Sequence, residues 1–195
     1  MPRIRGASIG EHHEMVWAGL AEATRELLRE RDYDSITMGH IGARAGLARN
    51  TLYNYARDRS ALIVALTERI ARPTAERVAG IAARSADPAA ERLREIVEVV
   101  LAALTDPVLQ LMFRPVGTVV PKGPDSPFQA IVTEVERVVR DGIARGEFRD
   151  VGDVPLTVEL LSGVLRAGAE RAGREPSAVP DVSRAASDVI LASLT

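Results

Sequence analysis

The chain has 195 residues, 46% of them hydrophobic and 27% charged, and a net charge of −2. That make-up suits one globular domain, or two small ones sharing a core, and excludes a disordered or collagen-like chain. No apolar run approaches the ~20 residues that span a bilayer, so no membrane partner is expected. Cysteine is absent, which excludes disulfides, cysteine-ligated metals and thiol nucleophiles. With no apolar secretion signal at the N-terminus, the expected location is cytoplasmic. Because the whole chain is slightly acidic, any basic surface must be local.

The predicted elements are helices throughout, about nine, giving an all-α fold. Val16, Leu20, Ala23, Leu27 and Leu28 form the stripe of the first helix. Thr37 caps a short helix running to about Ala45, with Ile41 and Ala45 inward, and Gly46 ends it. A second short helix covers about Arg49 to Tyr55. Asp58 caps a longer one whose stripe is Leu62, Leu66 and Ile70, and Pro73 is expected to kink or break it. Asp87-Pro88 and Asp106-Pro107 each place a capping carboxylate before a proline at the first helical position. Ser126-Pro127-Phe128-Gln129 does the same and adds a capping-box glutamine. The helix after it turns Ile131, Val135, Val138 and Val139 inward and stops near Gly146. Two more are expected at about 154–171 and 178–194. The strand-like run Val116–Val120 has no second strand to pair with and reads as loop, part of a long connection over 114–126.

Thr37–Tyr55 reads TMGHIGARAGLARNTLYNY. Two short helices separated by Gly46-Leu47-Ala48 fit a helix-turn-helix, whose second helix enters the DNA major groove. Ile41, Ala45, Leu47 and Leu52 would form its small core. Arg49, Asn50, Thr51, Tyr53 and Asn54 would lie on the exposed face. Arg and Asn can contact base edges bidentately, and Thr and Tyr hydroxyls suit phosphate oxygens. From Tyr33 to Ser60 there are four Arg against two Asp, a local positive excess.

Over residues 12–66 the sequence resembles the TetR/AcrR family of bacterial transcriptional regulators. The matching residues are Glu30–Thr37, Ile41–Leu47, Thr51–Tyr55 and Asp58–Leu62. The resemblance implies that Thr37 and Tyr53 meet phosphates, that Arg49 and Asn50 face bases, and that Arg44 faces solvent or a phosphate. It implies that Arg59 replaces a lysine that neutralises a phosphate. Three positions depart from the family pattern. Asp32 stands where glycine is usual, Ala48 where Ser or Thr caps the second helix, and Ala56-Arg57 where Phe-Pro is usual.

Other patterns carry less. Gly6-Ala7-Ser8-Ile9-Gly10 matches a nucleophile elbow but has no strand before it. Arg3 and Arg5 could form a minor-groove arm, though a frayed terminus is the plainer reading. Glu11-His12-His13-Glu14 lacks metal-ligand spacing. No Glu-x-x-His pair and no glycine-rich phosphate loop is present. No catalytic residue, cofactor or metal is expected.

For the remainder, the resemblance implies a ligand cavity within the helices from about 60 to 146. Val100, Leu104, Leu109, Met112, Phe113, Phe128, Ile131 and Val135 are its apolar candidates, although for each taken alone ordinary core is the plainer reading. Such a lining suits an apolar or amphipathic effector. The resemblance also implies that the last two helices pair with those of a second copy. The expected interface residues are Leu160, Leu161, Val164, Leu165, Val182, Ala186, Val189 and Ile190, and the small residues Ser162, Gly163, Ala167 and Gly168 mark close helix approach. The expected organisation is a DNA-binding domain over 1–60 and an effector-binding and dimerisation domain over 61–195. The expected function is a homodimeric, ligand-responsive regulator, a repressor on palindromic double-stranded operator DNA. The alternative is a helical small-molecule carrier or enzyme whose N-terminal motif no longer reads DNA.

Overall fold

The structure is a computed structural model that describes residues 9–113, 123 and 125–195. Arg3, Arg5, Gly6, Ala7, Ser8 and the run Val116–Val120 lie outside the described residues. The chain divides into two compact units, Met1–Leu66 and Thr67–Thr195. The described residues contain nine α-helices and no strand.

The first unit holds α1 (Ile9–Glu30), a 3-10 turn (Tyr33–Ser35), α2 (Met38–Arg44), α3 (Arg49–Tyr53) and the start of α4 (Arg59–Ala82). The predicted stripe of α1 buries Leu20, Ala23 and Leu27, and Trp17 joins them. Ile36, Ile41, Leu52, Leu62 and Ile63 of the same unit are buried as well. Each fully buried Leu or Ile contributes ~1.5–3 kcal/mol. Asp58 accepts from the Ala61 N–H at 2.7 Å, the expected cap of α4. α4 does not break at Pro73 but runs through it. Proline removes one backbone hydrogen bond, and the helix face carrying Ala71, Ala75 and Val78 is buried on both sides of it.

The second unit holds the rest of α4, then α5 (Ala89–Ala103), α6 (Pro107–Gln110), a 3-10 turn (Leu111–Phe113), α7 (Pro127–Ala144), α8 (Val154–Arg174), a further 3-10 turn (Pro176–Ala178) and α9 (Val179–Leu194). α5 is central and packs against α7, α8 and α9. Its start differs from expectation. Pro88, not Asp87, is the N-cap residue, and it offers no side-chain acceptor. The Ala89 N–H donates instead to Glu147 Oε2 at 2.6 Å, a cap supplied from 58 residues away. Local sequence cannot show a partner brought by the fold. Asp106 caps α6 as expected, accepting from Val108 N–H at 2.8 Å. Ser126 caps α7 through the Phe128 N–H at 3.3 Å.

α7 ends on Gly146, at φ 72°, with the Gly146 and Glu147 N–H groups returning to the carbonyls of Ile143 and Gly142. This Schellman turn satisfies two terminal carbonyls and requires the left-handed conformation glycine allows. One interaction ties three helices. Arg92, 2% exposed, pairs with the Asp141 carboxylate of α7 and donates to the Ala82 carbonyl of α4. Gly168 lets α8 approach its neighbours: a Cβ there would lie 3.0 Å from Val182 and 3.1 Å from Leu101. Gly163 by contrast has nothing within 4 Å. Among the described residues no single helix is long and apolar enough to cross a membrane.

Candidate nucleic-acid interface and apolar cavity

The helix-turn-helix is built by local hydrogen bonds that its sequence spells out. Thr37 Oγ1 accepts from the His40 N–H at 3.2 Å, and His40 Nδ1 accepts from the Thr37 N–H at 3.3 Å. This is a capping box with histidine where Glu or Gln is usual. Because the usual capping-box pattern names Glu or Gln, the sequence alone does not mark His40 for this role. α2 ends in a second Schellman turn. Gly46 stands at φ 68°, its N–H returns to Ala43 O, and the Leu47 N–H returns to Gly42 O at 2.9 Å. Gly42 faces α3, where a Cβ would sit 3.2 Å from Leu52 Cδ2. The two helices therefore meet with Leu52 buried between them and Leu47 half-buried at the turn. Ala48 heads α3 with no side-chain cap.

Of the DNA-contact candidates, Thr37 at the head of α2, Arg49, Asn50 and Tyr53 on α3, and Asn54 at its C-terminal end are exposed, and Thr51 is half-buried. Tyr53 keeps 42% of its surface exposed, a large fraction for an aromatic ring. The Arg49 guanidinium lies 5.7 Å from its ring centroid. Two of the eight DNA-contact candidates are engaged elsewhere. Arg44 makes a bidentate pair with Glu30, at 2.8 and 2.7 Å, and reaches Glu26 at 3.0 Å, tying α2 to α1. The Arg44 hydrogen bond holds the Glu30 carboxyl below its ordinary range, against a smaller opposing effect of desolvation. Arg59 is half-buried. Its Nη1 donates to the carbonyls of Tyr33 at 2.8 Å and Ile36 at 2.6 Å, and its guanidinium lies 4.2 Å from the Tyr33 ring centroid. It fixes the chain leading into Thr37. Tyr55 is half-buried against α1, stacked on His13 at 5.0 Å between centroids and edge-on to Trp17 at 5.3 Å.

The second unit contains a cavity of about 220 Å³ among α4, α5, α7, α8 and α9. All eight apolar candidates from Val100 to Val135 line it. So do Leu93, Ile96 and Val97 of α5 and Arg166 of α8, together with Leu161, Leu165 and Ile190, which were expected at a dimer face. Among the described residues, only Thr74, Ser162 and Arg166 bring polar side chains to the lining. The eight residues expected at a dimer face separate into three groups. Leu160 and Val189 are exposed, at 67% and 55%. Val164, Leu165 and Val182 are half-buried, and Leu161, Ala186 and Ile190 are buried inside the unit. Leu156, at 51%, adds a further exposed leucine one turn before Leu160. Among the described residues no cluster of three or more His, Asp or Glu is arranged to hold a metal ion.

No curated protein sequence matches the chain. Several solved structures share its fold. SmeT, the repressor of a multidrug efflux pump of Stenotrophomonas maltophilia, is 20% identical with a TM-score of 0.72, over 91% of this chain and 89% of that one. A complex of SmeT with triclosan is 19% identical with a TM-score of 0.67, over 92% of each chain. The regulator FadR from Bacillus subtilis, in complex with stearoyl-CoA, is 17% identical with a TM-score of 0.72, over 92% of this chain and 100% of that one. Residues 20–66 match the family model of bacterial regulatory proteins, tetR family. The N-terminal helix-turn-helix thus matches the DNA-binding domain model of that family, and the all-α fold of the whole chain is the one these solved structures share.

Proposed function

We propose that the chain is a homodimeric transcriptional repressor that binds a palindromic operator through α2 and α3 and releases it when a small apolar or amphipathic effector enters the cavity. The observation that carries this reading is the pairing, in one chain, of a preformed reading motif with a preformed and almost wholly apolar cavity. Arg49 and Asn50 read base edges from the exposed face of α3. The hydroxyls of Thr37 and Tyr53 take phosphate oxygens, and Asn54 supports them. Arg44 and Arg59 hold the motif in shape through the partners they already have.

The second copy is met by the face carrying Leu156, Leu160, Val164 and Val189. Leu156, Leu160 and Val164 recur every four residues on α8, and an exposed apolar stripe of that kind calls for a cover. Leu161, Ala186 and Ile190 serve the interior of the unit. Ala71 and Thr74 of α4 line the cavity, so an effector touches the same helix whose first turn holds Arg59. Coupling of ~1–3 kcal/mol would lower operator affinity by roughly 5–150-fold. Gel shift on the DNA upstream of the chain's own coding sequence tests the reading. Specific retardation by the unaltered protein, lost selectively in Arg49→Ala, is expected; a monomer by native mass measurement and no retardation would overturn it.

A further inference from the structure

We infer that the effector is an anionic amphiphile, a single apolar tail carrying a carboxylate, and that Arg166 receives its head at the edge of the cavity. The inference rests on the reading of this cavity as the effector site and names the ligand class. Of the side chains lining it among the described residues, Arg166 is the only ion. Its neighbours in the lining include Phe113, Leu165 and Ser162, and the rest of the wall is aliphatic apart from Phe128, Met112 and Thr74. Among the described residues, a single cation at the edge of so apolar a wall is a poor site for a cationic compound and gives a neutral one no use for the charge.

The guanidinium is held in place without being consumed. It lies 5.9 Å from the Phe113 ring centroid, and its Nη2 is 3.4 Å from the Phe113 carbonyl oxygen. Its Nε meets Glu170 at 3.2 Å, one helical turn on, in a pair whose side chains are 56% and 41% exposed. Exposed i,i+4 pairs of this kind contribute little and exchange readily with solvent. A bound carboxylate can therefore take the planar fork in two parallel hydrogen bonds, the geometry guanidinium matches best, while the tail passes inward towards Val100 and Val135.

The probes are decanoate, decanol and decyltrimethylammonium, titrated calorimetrically at pH 7.5 below their micelle concentrations into the full chain. Three variants accompany the unaltered protein: Arg166→Gln, Arg166→Lys and Val135→Trp, the last filling the cavity. Decanoate is expected to bind about tenfold more tightly than decanol, the equivalent of one or two charge-assisted hydrogen bonds. Decyltrimethylammonium is expected to bind more weakly than either. Arg166→Gln should remove the preference for decanoate and leave decanol unchanged, Arg166→Lys should retain part of it, and Val135→Trp should weaken both. Equal binding of decanoate and decanol by the unaltered protein would overturn the head-group assignment while leaving the cavity as an apolar effector site. A decanoate preference that survives Arg166→Gln would overturn it as well. Binding of neither compound would overturn both readings.

Discussion

The two units hold their chemistry on opposite sides of their surfaces. In the first, the groups proposed to act are outside: Thr37, Arg49, Asn50 and Tyr53 face solvent, and a small core under them fixes their spacing. In the second, the groups proposed to act are inside, and the exposed apolar face of α8 and α9 is proposed to meet a second copy. The first unit can lose a surface side chain without losing its shape, whereas the second cannot change its walls without changing its ligand. Stability and function should therefore separate under mutation in the first unit and coincide in the second.

The largest effect is expected where the second unit buries an ion. Arg92→Ala removes a guanidinium that is 2% exposed and leaves Asp141 and the Ala82 carbonyl without it. Breaking a buried pair from one side costs ~3–5 kcal/mol. Hydrogen exchange should show protection lost in α5 and α7 while α1 to α3 keep theirs. Equal loss in both units would mean that they do not separate energetically. Next in size is a contrast within the first unit. Arg59→Ala loses two carbonyl hydrogen bonds and the contact with Tyr33, and should cost ~1–3 kcal/mol of stability with little change in the salt slope of DNA binding. Arg49→Ala should change stability by less than ~0.5 kcal/mol yet relax discrimination at one base pair per half-site by ~1–3 kcal/mol. Urea denaturation and competition gel shifts at two salt concentrations read both. A reduced salt slope in Arg59→Ala would return that residue to the phosphate backbone.

The difference between the units also explains what could be read from the residues alone. The helix-turn-helix was legible because spacing encodes it: Thr37, Gly46 and Leu52 each have one backbone or packing task at a fixed offset from the next. Arg59 was legible as a position, but its bonds to the Tyr33 and Ile36 carbonyls were not, because every residue carries a carbonyl. The cavity was legible only through the family resemblance. Leu104 and Ile131 look like any core residue, and an empty volume leaves no mark in the sequence. Leu161 and Ile190 show the limit of the stripe argument: on α8 and α9 an inward and an outward apolar face adjoin, and periodicity alone does not say which is which. The Glu147 cap on Ala89 lay beyond any local rule.

A smaller contrast lies at the turn of the motif. Gly46→Ala forces a side chain to φ 68° with nothing crowding it, so the cost is conformational, ~1–2 kcal/mol. Gly39→Ala, in helical backbone with only Thr37 Oγ1 at 3.6 Å from its Cβ, should instead stabilise by up to ~1 kcal/mol. Thermal melting of the two variants checks the signs, and loss of stability in both would mean that α2 does not tolerate a Cβ on either side.

The smallest effect concerns whether Arg44 serves the fold or the DNA. Its hydrogen bond holds the Glu30 carboxyl below the ordinary 4.5. A carboxyl with a depressed folded pKa contributes stability that is complete above its unfolded value and is lost as pH falls through the folded one. The Arg44–Glu30 pair should thus help the fold equally from neutral pH down to about 4.5 and fade below it. Both side chains are substantially exposed, so the effect is screened by salt. Carboxyl-carbon NMR of Glu30 reads it directly. Arg44→Gln should return the titration to the ordinary value, and a titration unmoved by that change would show that the pair does not persist in solution. Adding operator DNA then asks the functional question. If Arg44 stays on α1, the Glu30 midpoint remains depressed in the complex. If Arg44 moves to a phosphate, Glu30 loses its partner and its midpoint rises, while in Arg44→Gln the same DNA produces only the smaller rise due to nearby phosphate charge. A midpoint that rises equally in both proteins would leave Arg44 with the fold.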